Sequence, residues 1–405
     1  MRVLALGNVY PPHTLGGYEI VWQGSARHAR AQGHEVRVLT TDFRLPTLPP
    51  HAPEDPDVHR ELRWYWRDHE WPRLGWRERF QIERHNARIF NRHIREFRPD
   101  VLTSWPMGGM SLGLIERARR AGVPAVFFVY DYWPKYGRER DLWLHGMRRW
   151  PGARRVIEQL TGLPTQIRVE GTGRWLFSAE CVRAVTIESG WSIDDSRLLA
   201  PGIENLYIDA PREHAPDPWQ WRLLYLGRVV EQKGVHTAIE ALAKLPAQAT
   251  LTIVGDGDER YRADLRELAD RLGVGSRVEI APKGPHGQAL ELYRRSDALL
   301  FPVIWREPWG LVPLEAMAAG TVVLATGRGG SGDYLRDGYN CLLFPPEDPE
   351  ALALALRRLA ADEHLRRQLR DAGYETAAAH SEDDFNRRAL EEITRAASGT
   401  QEVPR

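Results

Sequence analysis

The chain has 405 residues, 42% hydrophobic and 27% charged, with 55 basic residues matched by 55 acidic ones. This is ordinary globular composition and excludes a disordered or collagen-like chain. At roughly 150 residues per domain the length implies two or three domains, and no apolar run reaches the ~18 residues of a membrane-crossing helix. The zero net charge conceals an asymmetry: residues 1–205 carry 30 basic against 24 acidic residues, and residues 206–405 carry 25 against 31. Eleven of the 15 tryptophans lie in the first half, so the two halves present different surfaces.

The opening MRVLALGNVYPP reads as a buried strand, Val3 to Leu6, and its turn, not as a secretory signal. A turn with Gly16 and Gly17 leads into a helical pattern through Ile20, Trp22 and Ala26 to Ala29, which Gly33 ends. A strand over Glu35 to Thr40 completes a βαβ unit. Further strands are predicted at Asp100–Thr103, Pro124–Tyr130 and Arg183–Ile187. Cys181 and Cys341 are too far apart in sequence for a metal knuckle and give no disulfide scaffold, so a cytoplasmic location is expected.

Between Val58 and Arg98 stand 11 Arg and six acids. Ile82, Ile89, Phe90, Ile94 and Phe97 recur at helical spacing and predict an amphipathic helix from Phe80 to Phe97 with its arginines outward. The stretch Trp64 to Trp76 alternates Trp with Arg like a strand or surface loop. Exposed, it would suit stacking on a sugar or peripheral contact with an anionic membrane. No nucleic-acid-binding motif accompanies it.

The second half carries five apolar strands, Arg222–Leu226, Ala249–Val254, Arg277–Ile280, Ala298–Phe301 and Thr321–Ala325. Helical stretches lie between them at His236–Leu245, Glu259–Leu272 and Gln288–Arg295, and residues 348–396 are helical. The Pro-rich segment 205–220 reads as a linker, and the last nine residues read as frayed. Alternating strands and helices give an α/β fold of two doubly wound parallel-sheet domains, 1–205 and 206–380, facing a cleft. Ligands in such sheets sit beyond the carboxyl ends of the strands.

Two loops there carry chemistry. Leu226-Gly-Arg228-Val-Val-Glu-Gln-Lys233-Gly234 follows a strand and opens a helix; two cations beside free helix amides suit a phosphate or diphosphate, though solvated surface cations would read the same. Lysine is scarce, 4 against 51 Arg, which makes Lys233 more telling. Glu307-Pro-Trp-Gly310-Leu-Val-Pro-Leu-Glu315 follows the strand ending at Phe301 and enters a helix at Pro313–Ala319. Its two carboxylates can accept from vicinal hydroxyls or cap the helix. No Asp-x-Asp, no His/Cys ligand set and no Walker-type lysine loop is read, so no metal and no cofactor is expected.

Arg228 and Lys233, Val254-Gly-Asp-Gly257, the Glu307/Glu315 pair, Ala316-x-Ala-Ala-Gly320 and the glycine loop Gly16-Gly17-Tyr18-Glu19 together resemble the retaining GT-B glycosyltransferases of family 4. The resemblance covers about 1–45 and 175–395. It implies a GT-B architecture of two Rossmann-like domains and a C-terminal helix, 381–397, crossing back to the first; the acidic start Glu382-Asp-Asp suits a helix N-terminus. It also implies a metal-independent hexosyltransferase acting in polysaccharide or glycoconjugate biosynthesis. Such an enzyme moves a sugar from a nucleotide-diphosphate sugar to a hydroxyl of a sugar or lipid-linked acceptor, in the cytoplasm or at the inner membrane surface. Arg228 and Lys233 would hold the diphosphate, with the amides of Gly310, Leu311 and Val312 as further donors. Glu315 would bind the ribose, Glu307 the transferred sugar, and Gly17 would let backbone approach the phosphate. The loop Ala281-Pro-Lys283-Gly-Pro-His286 lies where such enzymes place the base. Departing diphosphate would accept the acceptor's proton on the face it leaves.

One position departs from the pattern. Tyr130 stands where many relatives have a His before Asp131, which leaves Asp131 as the polar group for sugar hydroxyls or as a helix N-cap. An epimerase or phosphorylase of the same architecture, or a sugar-nucleotide-binding module without catalysis, are the alternatives.

Overall fold

The computed structural model describes residues 1–45, 54–66, 71–169, 173–212, 218–285 and 287–399. The chain divides into two compact units, one of Met1–Ala200 with the segment from Phe385 onward, the other of Pro201–Asp384. No described helix is long and apolar enough to cross a membrane.

The first unit holds seven strands: β1 (Arg2–Leu6), β2 (Glu35–Thr41), β3 (Val58–Leu62), β4 (Val101–Ser104), β5 (Ala125–Val129), β6 (Gly173–Phe177) and β7 (Ser196–Leu198). They pair in parallel in the order β3-β2-β1-β4-β5-β6-β7. Helices cover both faces, so the central strands are apolar on both sides; Leu4, Leu6, Leu102 and every residue of β5 are buried. Much of the tryptophan surplus is core: Trp22, Trp105, Trp133 and Trp175 are fully buried. Trp105 stacks on Phe128 at 4.1 Å and Trp175 on Phe127 at 4.2 Å, each pair adding about 0.5–1.5 kcal/mol beyond its area.

Two expectations for this unit fail, and two of its strands were not foreseen. Arg183–Ile187 lies within the helix Glu180–Glu188, and the strand is β6, Gly173-Arg-Trp-Leu-Phe177. A short apolar run fits a helix as well as a strand, and here the aromatic run took the sheet position. Strands β3 and β7 are polar edge segments with no apolar alternation, and the sequence did not show them. The Trp64–Trp76 stretch is largely not an exposed surface. Trp64 and Tyr65 are buried, Trp66 and Trp71 are half-buried, and Trp64 Nε1 donates to the Gly108 carbonyl at 2.8 Å; of the four tryptophans Trp76 alone is exposed, and residues 67–70 of the stretch lie outside the described residues. The amphipathic helix is present as Trp76–Phe97, burying Ile82, Ile89, Phe90 and Phe97.

The second unit holds β8 (Arg222–Leu226), β9 (Thr250–Val254), β10 (Val278–Ala281), β11 (Ala298–Phe301), β12 (Val322–Ala325) and β13 (Leu342–Leu343), parallel in the order β10-β9-β8-β11-β12-β13. Strand order reverses between β8 and β11, where Ala298 faces Leu223 and Leu299 faces Leu224. The expected linker starts with a short helix, Asn205–Ile208, and its residues 213–217 lie outside the described residues.

The C-terminal part is three helices, Pro349–Ala361, Glu363–Ala378 and Glu382–Ala397. Asp348 and Asp362 cap the first two, each accepting a first-turn N–H at 2.9 Å. From Phe385 the last helix belongs to the first unit: the Phe385 ring lies 5.9 Å from Tyr130, and Glu392 pairs with the buried Arg174, which also holds Asp195 at 2.8 Å. Of the expected frayed tail, residues 400–405 lie outside the described residues.

Candidate functional site

A polar arrangement in the second unit stands beyond the carboxyl ends of β8 and β11, at the reversal of strand order. Beyond β8 the chain passes Arg228, makes a turn over Glu231–Lys233 and enters the helix Val235–Leu242 through Gly234 at φ 68°. A Cβ on Gly234 would stand 2.0 Å from the Pro302 carbonyl oxygen, so glycine is what lets this loop lie on the loop beyond β11. Gln232 fixes the same contact by accepting the Ile304 N–H at 3.1 Å.

Lys233 Nζ thereby meets Glu307 Oε2 at 2.5 Å, and Trp305 Nε1 donates to the same oxygen at 2.8 Å. The ammonium also lies 5.8 Å from the Phe301 ring centroid and 5.7 Å from that of Trp305. The two charged side chains are 12% and 11% exposed, so an ion pair is held largely out of water, with aromatic walls. The Glu307 backbone is clamped from β12's loop: its N–H donates to the Arg328 carbonyl at 3.2 Å and its carbonyl accepts from Gly330 at 2.7 Å. Gly329, at φ 75°, permits this, since a Cβ there would sit 2.3 Å from the Glu307 carbonyl oxygen.

Gly310 (φ 88°) opens the helix Leu311–Ala318 with no side-chain cap, so the amides of Gly310, Leu311 and Val312 point from a bare helix N-terminus. Tyr334 Oη donates to the Gly310 carbonyl at 2.5 Å and fixes that turn. The helix starts two residues earlier than expected, which puts Glu315 beyond its first turn; the carboxylate accepts from Tyr293 Oη at 2.8 Å instead of capping. Burial and the Glu315 charge push the Tyr293 phenol well above its ordinary range, keeping it a donor. Arg228 is exposed, and its carbonyl accepts from the buried Tyr225 Oη at 2.7 Å.

The structure joins Lys233 to Glu307 and sets Gly310–Val312 on the same loop as Glu307. It does not bring Lys283 to them: this residue is exposed beyond the edge strand β10, and its N–H donates to Asp256 Oδ1 at 3.2 Å. His286 of the same loop lies outside the described residues. Asp256-Gly-Asp258 is an Asp-x-Asp pair, which corrects the expectation that the chain has none. Asp258 caps the helix Glu259–Arg271, and Asp256 accepts the Lys283 N–H of the loop beyond β10, so both carboxylates hold backbone. Trp305, Tyr293 and Tyr334 were also missed, because in sequence they are apolar-looking members of a loop, a helix and a turn.

In the first unit, Gly17 begins the helix Gly17–Ala31, and Glu19 folds back to accept the N–H groups of Gly16 (2.8 Å) and Leu15 (3.3 Å). Burial pushes the Glu19 carboxyl up to about 7 against the pull of those two amides, with the Asp131 charge adding to the rise. Tyr18 Oη donates to the Phe128 carbonyl. Asp131, beyond β5, accepts the Trp133 N–H and Tyr136 Oη, both at 3.0 Å. Tyr130 is buried among Tyr18, Trp105, Phe128 and Phe385, and its hydroxyl has no hydrogen-bond partner.

The family described as "Glycosyl transferases group 1" matches residues 209–376, and the "Glycosyl transferase 4-like domain" matches 16–166. The lipopolysaccharide core biosynthesis glycosyltransferase LpsE of Rhizobium meliloti is 37% identical over 172 residues, 42% of this chain and 46% of that protein. Glycogen synthase of Mycobacterium tuberculosis is 28% identical over 388 residues, 89% of this chain and 86% of that one. The D-inositol 3-phosphate glycosyltransferase of Frankia alni is 30% identical over 295 residues, 67% of this chain and 68% of its own length. Among solved structures, HepE of Anabaena in complex with UDP and glucose superposes with a TM-score of 0.70 at 18% identity, over 97% of this chain and 99% of that one; it shows the same GT-B fold. The chain belongs to the glycosyl transferases group 1 family and is a glycosyltransferase.

Proposed function

We propose that the second unit binds a nucleotide-diphosphate sugar and that the enzyme transfers the sugar, with retention and without a catalytic metal, to a hydroxyl of a glycan, glycolipid or natural product. The observation that carries this reading is the Lys233–Glu307 pair at the strand reversal, beside the bare helix N-terminus at Gly310–Val312. Lys233, Arg228 and those amides suit a diphosphate whose charge grows as the C1–O bond breaks. Glu307 suits the hydroxyls of the transferred sugar, and Glu315, held by Tyr293, suits those of a ribose. UDP and glucose in the HepE structure support a nucleotide-sugar donor here.

In the resting site Lys233 and Glu307 satisfy each other. Donor binding would turn the ammonium toward the diphosphate and free the carboxylate for sugar hydroxyls. The acceptor oxygen then bonds to C1 as the C1–O(phosphate) bond breaks, and the acceptor proton passes to the leaving phosphate oxygen. Asp131 and Gly17 belong to the first unit, which we assign to the acceptor, sugar or lipid-linked, with reaction on the cytoplasmic side and contact with an anionic membrane for a lipid-linked one. Lys283, exposed and away from the pair, suits contact with the outer part of the donor.

The test is a panel of UDP-, GDP-, ADP- and dTDP-sugars. Thermal shift would read binding, nucleotide release would read turnover, and proton NMR of the product would give the anomer. One donor should bind and turn over, and the product should keep the donor's anomeric configuration. Binding without release under any acceptor would favour a non-catalytic module; an inverted product would remove the retaining mechanism.

A further inference from the structure

A second cluster lies in the first unit, on its edge strand. His59 and Glu61 are two residues apart on β3, so their side chains share one face of the strand. His93, on the helix Trp76–Phe97, reaches that face from the packed side. His59 Nδ1 is 3.2 Å from Glu61 Oε1, and His93 Nε2 is 3.7 Å from Glu61 Oε2. One ligand atom from each of the three lies within 4.8 Å of the others. Ligands held ~2.1 Å from one tetrahedral ion stand about 3.4 Å apart, and the two His–Glu separations, one to each Glu61 oxygen, lie on either side of that value.

Hydrogen bonding does not account for the buried imidazole. His93 is 2% exposed, its Nδ1 has no hydrogen-bond partner among the described residues, and its Nε2 has a long 3.4 Å approach from Arg92 beside the 3.7 Å contact with Glu61. His59 is set up differently: its Nε2 lies 2.7 Å from Asp57 Oδ1, and Asp57 is held in turn by Arg37 Nε at 3.0 Å. A carboxylate on one ring nitrogen orients the other toward a ligand position, the arrangement found behind metal-bound histidines. The nearby cations are Arg37 on Asp57 and Arg92 on Glu61, so each carboxylate is neutralised and an ion would share Glu61 with Arg92.

We propose that His59, Glu61 and His93 form a site for one divalent transition ion of the zinc class, with water as the fourth ligand, clasping the edge strand β3 to the helix Trp76–Phe97. Two imidazoles and one carboxylate suit zinc-class ions better than magnesium or calcium, which prefer oxygen donors. The site lies at the sheet edge of the first unit and supplies no catalytic group.

The experiment uses the full chain without a polyhistidine tag, stripped with chelator and titrated with zinc chloride and cobalt(II) chloride. One equivalent of zinc should bind, cobalt should give the visible absorption of a tetrahedral site, and a hundredfold excess over Kd should raise Tm by roughly 4 °C or more. His59→Ala and Glu61→Gln, both at part-exposed positions, should each weaken binding at least tenfold while circular dichroism stays native. Equal binding in wild type and both variants, or no stoichiometric binding in the wild type, would overturn the site.

Discussion

Lys233 Nζ and Glu307 Oε2 stand 2.5 Å apart, each nearly buried, although 74 residues separate them in sequence. The contact exists because β8 and β11 are neighbours at the strand reversal and Gly234 lets their loops touch. An ion pair out of water stabilises little as a pair, but losing one partner strands the other charge.

Glu307→Gln or Lys233→Met should therefore each destabilise the protein by about 3 kcal/mol, the lower end for a buried pair. Removing both charges together, in Lys233→Met with Glu307→Leu, should recover most of that loss, since contacting residues are not additive. Activity should stay absent in all three. Urea unfolding beside a nucleotide-release assay separates the two effects; recovery of activity in the double variant would mean the pair is only structural.

Arg228 is exposed, so its role and its stability contribution should part company. Arg228→Ala should shift stability by no more than about 0.5 kcal/mol. It should lower kcat by about a hundredfold if its charge meets the leaving diphosphate, with a smaller change in donor KM. A KM effect with unchanged kcat would reassign it to ground-state binding.

The buried, unpartnered hydroxyl of Tyr130 predicts a gain on removal. Leaving such a group desolvated costs about 1–3 kcal/mol, so Tyr130→Phe should raise Tm. A fall in Tm would show that the hydroxyl has a partner.

Glu19 makes stability depend on pH. Its folded pKa, raised to about 7 by burial, exceeds the unfolded value, so the folded state binds the extra proton between the two. The contribution is greatest below the unfolded carboxylate range and is lost as pH rises toward and through about 7. Glu19→Gln, which keeps an acceptor for Gly16 and Leu15, should flatten that decline in thermal unfolding from pH 5 to 8. An unchanged slope would place the titration elsewhere.

The fold was legible where strands are apolar on both faces: β1, β4, β5 and most of the second sheet have buried, run-like sequences. The first unit's edge strands escaped because they carry no apolar run, as in Val58-His-Arg-Glu-Leu62, whereas the edge strand β10 was legible from its Val278 and Ile280. The exchange of Arg183–Ile187 for Gly173–Phe177 reflects the same ambiguity of short runs. Arg228, Lys233, Glu307 and Glu315 could be singled out because charged residues beside glycines after strands are conspicuous. Their supports, Trp305, Tyr293 and Tyr334, act through one polar atom on an otherwise apolar ring, and the contacts that reveal them cross 2, 22 and 24 residues. The His59–Glu61–His93 cluster needed the packing of a helix on an edge strand, which spacing alone does not give.

If Glu307 and its cationic neighbours act on a nucleotide-sugar, removing either charge must slow release of the nucleotide. Single-turnover nucleotide release, measured in chelator with the donor that binds, tests it most directly in wild type, Glu307→Ala and Arg228→Ala. Release should persist without metal and fall about a hundredfold or more in both variants. Unchanged release in Glu307→Ala, with the protein folded, would contradict it.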